Sequence, residues 1–418
     1  MRFTETESSH SQLRRRKMLG TSAFLILAFA LAASVMLAAG SLFPGRDSLL
    51  AAAGEAKAFP PPQPLQNHQQ LVPPPPPQTV KSTRSNATQT HARRASEVDP
   101  EYIEICFLAL GAAVQMDRST TIIRNIEAHS SHRSLVRYHL LVDQSTTLLR
   151  GRMRFSGSWR GLPRQRVVLH AIDAAPPLAR RLYRELSRTA TGPGPIYLYK
   201  PLLHLVLPLA VKRVIVLDTD LFLTSDIAGL WAEFDRFAPD ALLGLAVEQC
   251  PSYQQVRRLG GVGLNGGVQL LDLAKMRRSA RYAELLDGYM ERPMRYPMKE
   301  GGIGWLGDQT LYSWMSVNAT GGRKIFHLLP CGWNRQIGTH MAGWKGFWQA
   351  HACSTPCYLI HGNYVAHKSF MESLKQDPTG ATCRAIVARH RRSDRIFRPG
   401  SADARMLDVV ETTCCPGN

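Results

Sequence analysis

The sequence predicts an α/β domain, a mainly parallel sheet flanked by helices, behind a single N-terminal transmembrane helix. Three observations lead there. After residue 101, short and continuously apolar runs alternate with amphipathic segments, as strands buried on both faces of a parallel sheet require. Residues 18–45 carry no charge, are mostly Leu, Ala, Phe, Ile and Val, and directly follow Arg14, Arg15, Arg16 and Lys17. Between these two regions lies a segment dominated by Pro, Gln, Ser and Thr. The 418 residues are 44% hydrophobic, which excludes wholesale disorder, and Lys+Arg 51 against Asp+Glu 32 gives a formal charge of +19.

Residues 1–17 read as a cytosolic tail and residues 18–45 as a signal anchor, because the apolar stretch is long enough to cross a hydrocarbon core of about 30 Å. The basic flank stays cytosolic and sends the bulk of the chain to the other side. A cleavable signal peptide is the competing reading, helped by Ala38, Ala39 and Gly40, but its apolar region should be shorter, roughly 7–15 residues. A buried core helix would leave the basic flank unexplained. Residues 46–100 form a stem, in which Pro60 to Pro62 and Pro73 to Pro77 favour extended polyproline II. An SH3-type ligand there would need the cytosolic exposure that this topology denies. Asn86 and Asn318 each open an Asn-Ala-Thr triplet, which fits N-glycosylation in a lumen.

No CxxC pair exists, which argues against a zinc ribbon or a thioredoxin-like site. In an oxidising lumen Cys331, Cys353, Cys357 and Cys383 are expected to supply one or two disulfides, with the connectivity open. Cys106, inside an apolar run, is expected as a buried thiol.

Residues 101–375 read as the folded domain and residues 376–418 as a basic C-terminal extension. Tyr102 to Leu110 predicts a buried strand, and Ser119 a helix cap before Ile122, Ile123 and Ile126. Tyr138–Val142, Arg166–Ile172 and Val214–Leu217 predict further strands, and Pro177–Arg188 and Pro195–Leu207 predict helices. Ligands of such sheets bind outside the carboxyl ends of the strands, where Asp218-Thr219-Asp220 falls.

Two carboxylates one residue apart at a strand end can approach one divalent cation together. Oxygen ligands suit Mg²⁺ or Mn²⁺, which in turn bind a diphosphate. The haloacid-dehalogenase pattern DxDx[TV] is the rival, but Phe222 stands at its fifth position. Gly261-Val-Gly263-Leu-Asn-Gly266 matches GxGxxG, yet it follows an Arg-rich loop and precedes the strand-like Val268–Asp272, so it is not a dinucleotide fingerprint. Asp308 and Gln309 head a predicted helix, where they either hold sugar hydroxyls or simply cap it. His361 ends the apolar Tyr358-Leu-Ile360, and an imidazole there suits Mn²⁺ as a third ligand better than Ca²⁺.

The ordered series Asp218-Thr-Asp220, Leu264-Asn265-Gly266-Gly267-Val268, Leu306-Gly-Asp308-Gln309, Leu329-Pro-Cys331-Gly-Trp333-Asn334 and Ile360-His361-Gly362-Asn363 resembles glycosyltransferase family 8. Within it the chain is most similar to xyloside xylosyltransferases, with glucoside xylosyltransferases and LARGE-type xylosyltransferase domains nearby. The resemblance implies a GT-A nucleotide-sugar transferase fold and a retaining transfer, xylose from UDP-xylose in the best reading, to a glycan or glycoprotein acceptor. It implies Mn²⁺ or another divalent cation held by Asp218, Asp220 and His361. Leu110, Thr219, Lys200, Asn265 and Asn363 match donor-binding positions, Asp308 and Gln309 flank the reaction centre, and Trp333 and Asn334 match the acceptor side. An ER or Golgi membrane location with a lumenal catalytic domain follows. The chain departs from the pattern at Gly266, where the family usually has Ser or Thr, at Thr310, which replaces an acidic residue, and after Asn363, where Lys368 is the candidate phosphate ligand.

Retention requires a double displacement or a same-face route, and the absence of an obvious carboxylate nucleophile favours the second. The alternative is an inactive relative acting as an anchored glycan-binding or scaffolding protein, against which the intact Asp218, Asp220 and His361 speak. Nucleic-acid binding is excluded as a partner class: the arginines are dispersed in pairs such as Arg180-Arg181, Arg257-Arg258 and Arg277-Arg278, without a recognised motif.

Overall fold

The first strand, β1 (Ile103–Ala109), is buried along its whole length, as its unbroken apolar run requires of a central strand. In this computed structural model the described residues are 101–110, 113–143, 162–188, 194–291, 307–318, 322–363 and 367–415; the expected tail, anchor and stem lie outside them. Among the described residues no helix is long and apolar enough to cross a membrane.

Nine more strands follow in order: β2 (Val136–Val142), β3 (Val167–Ala171), β4 (Val214–Leu217), β5 (Leu221–Leu223), β6 (Leu243–Val247), β7 (Leu264–Leu271), β8 (Phe326–Leu328), β9 (Arg335–Gln336) and β10 (Leu359–His361). Seven of the ten strands form one sheet in the order β3-β2-β1-β4-β7-β6-β8. Only β7 runs against its neighbours β4 and β6; the remaining pairings are parallel. The expected mostly parallel sheet is therefore present. β7 starts earlier than its apolar run suggests, so Asn265, Gly266 and Gly267 lie inside a strand. That placement disposes of the dinucleotide reading, which needs a helix to open there.

Side chains alternate across the sheet with the strand period of two. Cys106 and Leu108 face one core with α2 (Pro177–Ser187), α3 (Ala280–Glu291) and α4 (Asp308–Asn318), through Leu182, Leu286 and Leu311. Ile105 and Phe107 face a second core with Ile122, Ile123 and Ile126 of α1 (Ala113–His129). Two local expectations fail here for identifiable reasons. Ser119 is not a cap: α1 starts before it, and its buried hydroxyl donates to the Gln115 carbonyl at 2.8 Å, the usual refuge of an interior serine. Pro195–Leu202 is a 3₁₀ segment and only Leu203–Val206 is α-helical, because Pro201 has no N–H to give a regular α-helix.

A third core joins the small sheet β5-β10-β9 to α5 (Lys368–Leu374), α6 (Cys383–Ser393) and α7 (Ala402–Thr413), with Phe222, Ile360, Phe370, Val387 and Leu407 at its centre. The basic extension is thus a folded part of this core. Cys331 pairs with Cys353, whereas Cys357 and Cys383 reach to Cys414 and Cys415, across 57 and 32 residues. Each of the longer bridges contributes roughly 3 kcal/mol by restricting the unfolded chain, since each shortens the loop left for the other. Cys106 is a fully buried thiol. Some of the arginines have structural partners: Arg391 bridges Asp408 and Glu411 of α7, and Arg277 donates to the carbonyls of His204, Leu207 and Val211.

Two buried imidazoles make stability pH-dependent. Burial holds His204 and His351 down at about 4, so each is neutral in the folded protein and must gain a proton on unfolding below its ordinary value. Between about pH 6.5 and 4 the unfolded state binds more protons, and stability falls as pH falls, by about 1.4 kcal/mol per pH unit for each ring. Urea midpoints measured at pH 7, 6 and 5 should decline in that order, and less steeply in His204→Phe.

Candidate active site

The chain leaves β4 at Leu217, passes through Asp218-Thr219-Asp220, and re-enters extended structure as β5. Backbone bonds fix both ends of this turn: the Asp218 N–H donates to the Gly267 carbonyl on β7, and the Gly362 N–H donates to the Asp220 carbonyl, each at 2.9 Å. Because β10 pairs antiparallel with β5, His361 lies opposite Leu221 and therefore beside Asp220. Two segments more than a hundred residues apart in sequence are brought together by strand register alone.

The result is a triad in which one ligand atom each from Asp218, Asp220 and His361 lies within 4.8 Å of the others. His361 Nε2 is 3.4 Å from Asp220 Oδ1, and its other nitrogen, Nδ1, meets Asn334 Oδ1 at 2.8 Å. Asn334 in turn donates to Asn265 Oδ1 at 2.8 Å, and Asn265 donates to Glu248 Oε2 at 2.7 Å. This chain orients the ring and leaves Nε2 turned to the carboxylates, the arrangement metal-binding histidines use. Two carboxylates and an imidazole nitrogen fit Mn²⁺ in chemistry as well as spacing. Partial desolvation would raise the Asp220 carboxyl, but the imidazole and Lys375 outweigh it and hold the group at about 2. Burial likewise disfavours a charged His361, yet Asp220 raises it. The same carboxylates that favour a protonated ring would favour a divalent cation in place of the proton.

Lys200 sits at the centre of the anionic floor. It is 1% exposed, lies 2.7 Å from Asp218 Oδ1 and 3.4 Å from Asp308 Oδ2, and donates to the Gly266 carbonyl at 2.7 Å. Burial would lower the ammonium, but the two carboxylates outweigh that and raise it above the ordinary lysine value. For Asp308 burial wins over the lysine, lifting the carboxyl to about 6. Asp308 accepts from Gln269 Nε2 at 2.6 Å, beside Lys200. Gln309 donates to Glu248 Oε2 at 2.6 Å and accepts from the Gly266 N–H at 3.3 Å. Gly266 now has a reason: a Cβ there would lie 2.7 Å from Asp308 Oδ2, and one at Gly267 would lie 2.3 Å from His361 Cε1.

The remaining predicted residues divide. Thr219 donates to Gln115 at 3.1 Å within the Asp218–Asp220 turn, Leu110 is buried at the end of β1, and Asn363 accepts from the Gly338 N–H at 2.8 Å. Asn334 supports His361. Trp333 instead packs in the second core, against Tyr358 at 4.6 Å between ring centroids and over Gly229. Lys368 is exposed at the head of α5, and it is Lys375, just past the end of that helix, whose Nζ reaches the Thr219 carbonyl at 2.8 Å. Residue-by-residue reading missed Glu248, Tyr197 and Lys375. Glu248 had a signal, since it ends the apolar run Leu242–Val247 just as Asp218 ends Val214–Leu217. Tyr197, whose hydroxyl the nearby Asp218 charge and burial push up to about 12, had none.

The chain has the GT-A glycosyltransferase fold: the crystal structure of mouse xyloside xylosyltransferase 1, apo form, matches 63% of this chain and 98% of its own with a TM-score of 0.50 at 22% identity. Its sequence relatives narrow the likeness. Human xyloside xylosyltransferase 1 is 31% identical over 189 residues, covering 40% of this chain and 46% of the relative. Human xylosyl- and glucuronyltransferase LARGE1 is 34% identical over 157 residues, 34% of this chain and 19% of the relative. The resemblance drawn from the five motifs is borne out by both. The chain spans about half the length of the first relative and about a fifth of the second. No family model matches.

Proposed function

We propose that the protein is a retaining UDP-sugar glycosyltransferase, transferring xylose from UDP-xylose to a glycoside or glycan acceptor with Mn²⁺ at Asp218, Asp220 and His361. The observation that carries this reading is the triad itself, at a strand end, with His361 already oriented by Asn334. The basic flank and apolar stretch before residue 46 add a type II anchor in the ER or Golgi membrane, with the enzyme lumenal.

When bound, the cation supplies charge to the departing diphosphate. The protein supplies position. Asn265 and Gln309 both donate to Glu248, and Asp308, fixed by Gln269, stands beside Gln309, so these carboxylates and amides are held ready to take sugar hydroxyls. Lys200 bridges Asp218 and Asp308 and holds them close together, so the site is preorganised rather than assembled during reaction. Gln309 is a poor nucleophile, and Asp308 is held by Lys200 and Gln269; both facts favour the same-face route, in which the leaving phosphate takes the acceptor proton.

UDP release by the purified protein, screened over UDP-xylose, UDP-glucose and UDP-galactose with a xyloside acceptor and either Mn²⁺ or EDTA, tests the proposal. Turnover of UDP-xylose that EDTA stops is expected. Folded protein that turns over none of the three donors would support the anchored scaffold instead.

A further inference from the structure

Three backbone oxygens and nitrogens around the metal turn are tied down by other backbone groups or by one side chain. The Asp218 N–H and the Asp220 carbonyl have backbone partners, whereas the carbonyl of Thr219, between the two acidic residues, is held by Lys375 Nζ at 2.8 Å. Lys375 is 8% exposed, and its nearest carboxylate, Glu372, is 3.9 Å away. The turn after Lys375 is itself fastened. Asn125 of α1 donates to the Pro378 carbonyl at 2.8 Å and brackets Leu223 of β5, accepting from its N–H at 2.6 Å and donating to its carbonyl at 3.1 Å. Asp377 accepts from the backbone N–H of Thr379 and Thr382, and Cys383 closes the segment by its bridge to Cys415. The ammonium is therefore aimed at the metal turn from a rigid mount provided by the C-terminal helices.

We propose that Lys375 is a positioning residue for the metal turn: by holding the Thr219 carbonyl it keeps the flanking Asp218 and Asp220 carboxylates facing one cation, and the C-terminal extension exists in part to hold Lys375 there. The inference rests on the metal site of the proposed function. Two effects of opposite sign meet at this residue. Coulomb repulsion from an ammonium beside the site weakens binding of a divalent cation, so its removal by charge alone would tighten binding. Loss of the hydrogen bond frees the turn and leaves a carbonyl without its donor, which weakens binding. Positioning contacts behind metal ligands are worth about 10- to 100-fold in affinity, whereas the charge of the ammonium is offset by Glu372 at 3.9 Å and screened by solvent at the half-exposed Asp220.

The test titrates the full chain, stripped of metal, with Mn²⁺ alone and follows free Mn²⁺ by electron paramagnetic resonance. Lys375→Met and Lys375→Gln should each weaken Mn²⁺ binding about tenfold or more, Lys375→Arg should stay within about threefold of wild type, and the urea midpoint in EDTA reports whether each variant is folded. If Lys375→Met does not fold, Lys375→Gln decides. Unchanged or tighter binding in the folded neutral variants overturns the proposal, whatever happens to turnover. Failure of the wild type to bind Mn²⁺, or equal binding by Asp220→Asn, would instead strike the proposed metal site itself, so the two failures are distinguishable.

Discussion

Asp220→Asn is expected to lower sugar transfer about a thousandfold while leaving the fold intact. The substitution removes one negative charge from the triad and exchanges a carboxylate ligand for an amide. A cation held this way supplies several kcal/mol of transition-state stabilisation, and about 4 kcal/mol corresponds to a factor of about a thousand. Stability should fall only modestly, because the attraction of Asp220 to His361 and Lys375 is screened at a side chain that is 47% exposed, and His361 keeps its bond to Asn334. Initial rates of UDP release at saturating Mn²⁺, with circular dichroism as a folding control, give the comparison. A variant with full metal-dependent activity would show that the chemistry lies elsewhere.

Lys200→Met should damage both stability and activity. The ammonium is the shared partner of Asp218 and Asp308, and removing one member of a buried charge cluster costs about 3–5 kcal/mol because the others stay behind unpaired. Adding Asp308→Asn should return part of that loss, since the amide removes one stranded charge while keeping a group for Gln269 Nε2 to donate to. Urea unfolding of the single and double variants measures it. Equal stabilities for Lys200→Met and wild type would mean that the lysine contributes nothing net to the floor of the site.

Much of this site was legible in the sequence because strand ends are legible. Val214–Leu217 is an apolar run that stops at Asp218, as a strand does on reaching the ligand edge of a parallel sheet, and Tyr358–Ile360 is an apolar run that leads into His361, the last residue of β10 in the small sheet. The order of the motifs then linked segments that β4–β7, β5–β10 and β9–β10 pairing join in space. What stayed hidden depends on tertiary register. Trp333 and Asn334 are adjacent, yet one turns into the core and the other to His361, and no local pattern says which. Lys375 looks like an ordinary lysine after a short helix, and its importance comes from the Asn125 and disulfide anchorage around it. The bridges themselves needed Cys414 and Cys415, whose distance along the chain from Cys357 and Cys383 conceals their proximity. The helix boundaries at Ser119 and Pro201 were lost to burial and to a proline, both of which override simple periodicity.

The most direct test of the metal-centred account is anomalous scattering from crystals of the protein grown with UDP and Mn²⁺. The account predicts a single strong manganese peak touching a carboxylate oxygen of Asp218, a carboxylate oxygen of Asp220 and His361 Nε2, with the His361 Nδ1 contact to Asn334 retained. Crystals that bind UDP at the strand edge with no manganese at these three side chains would contradict it.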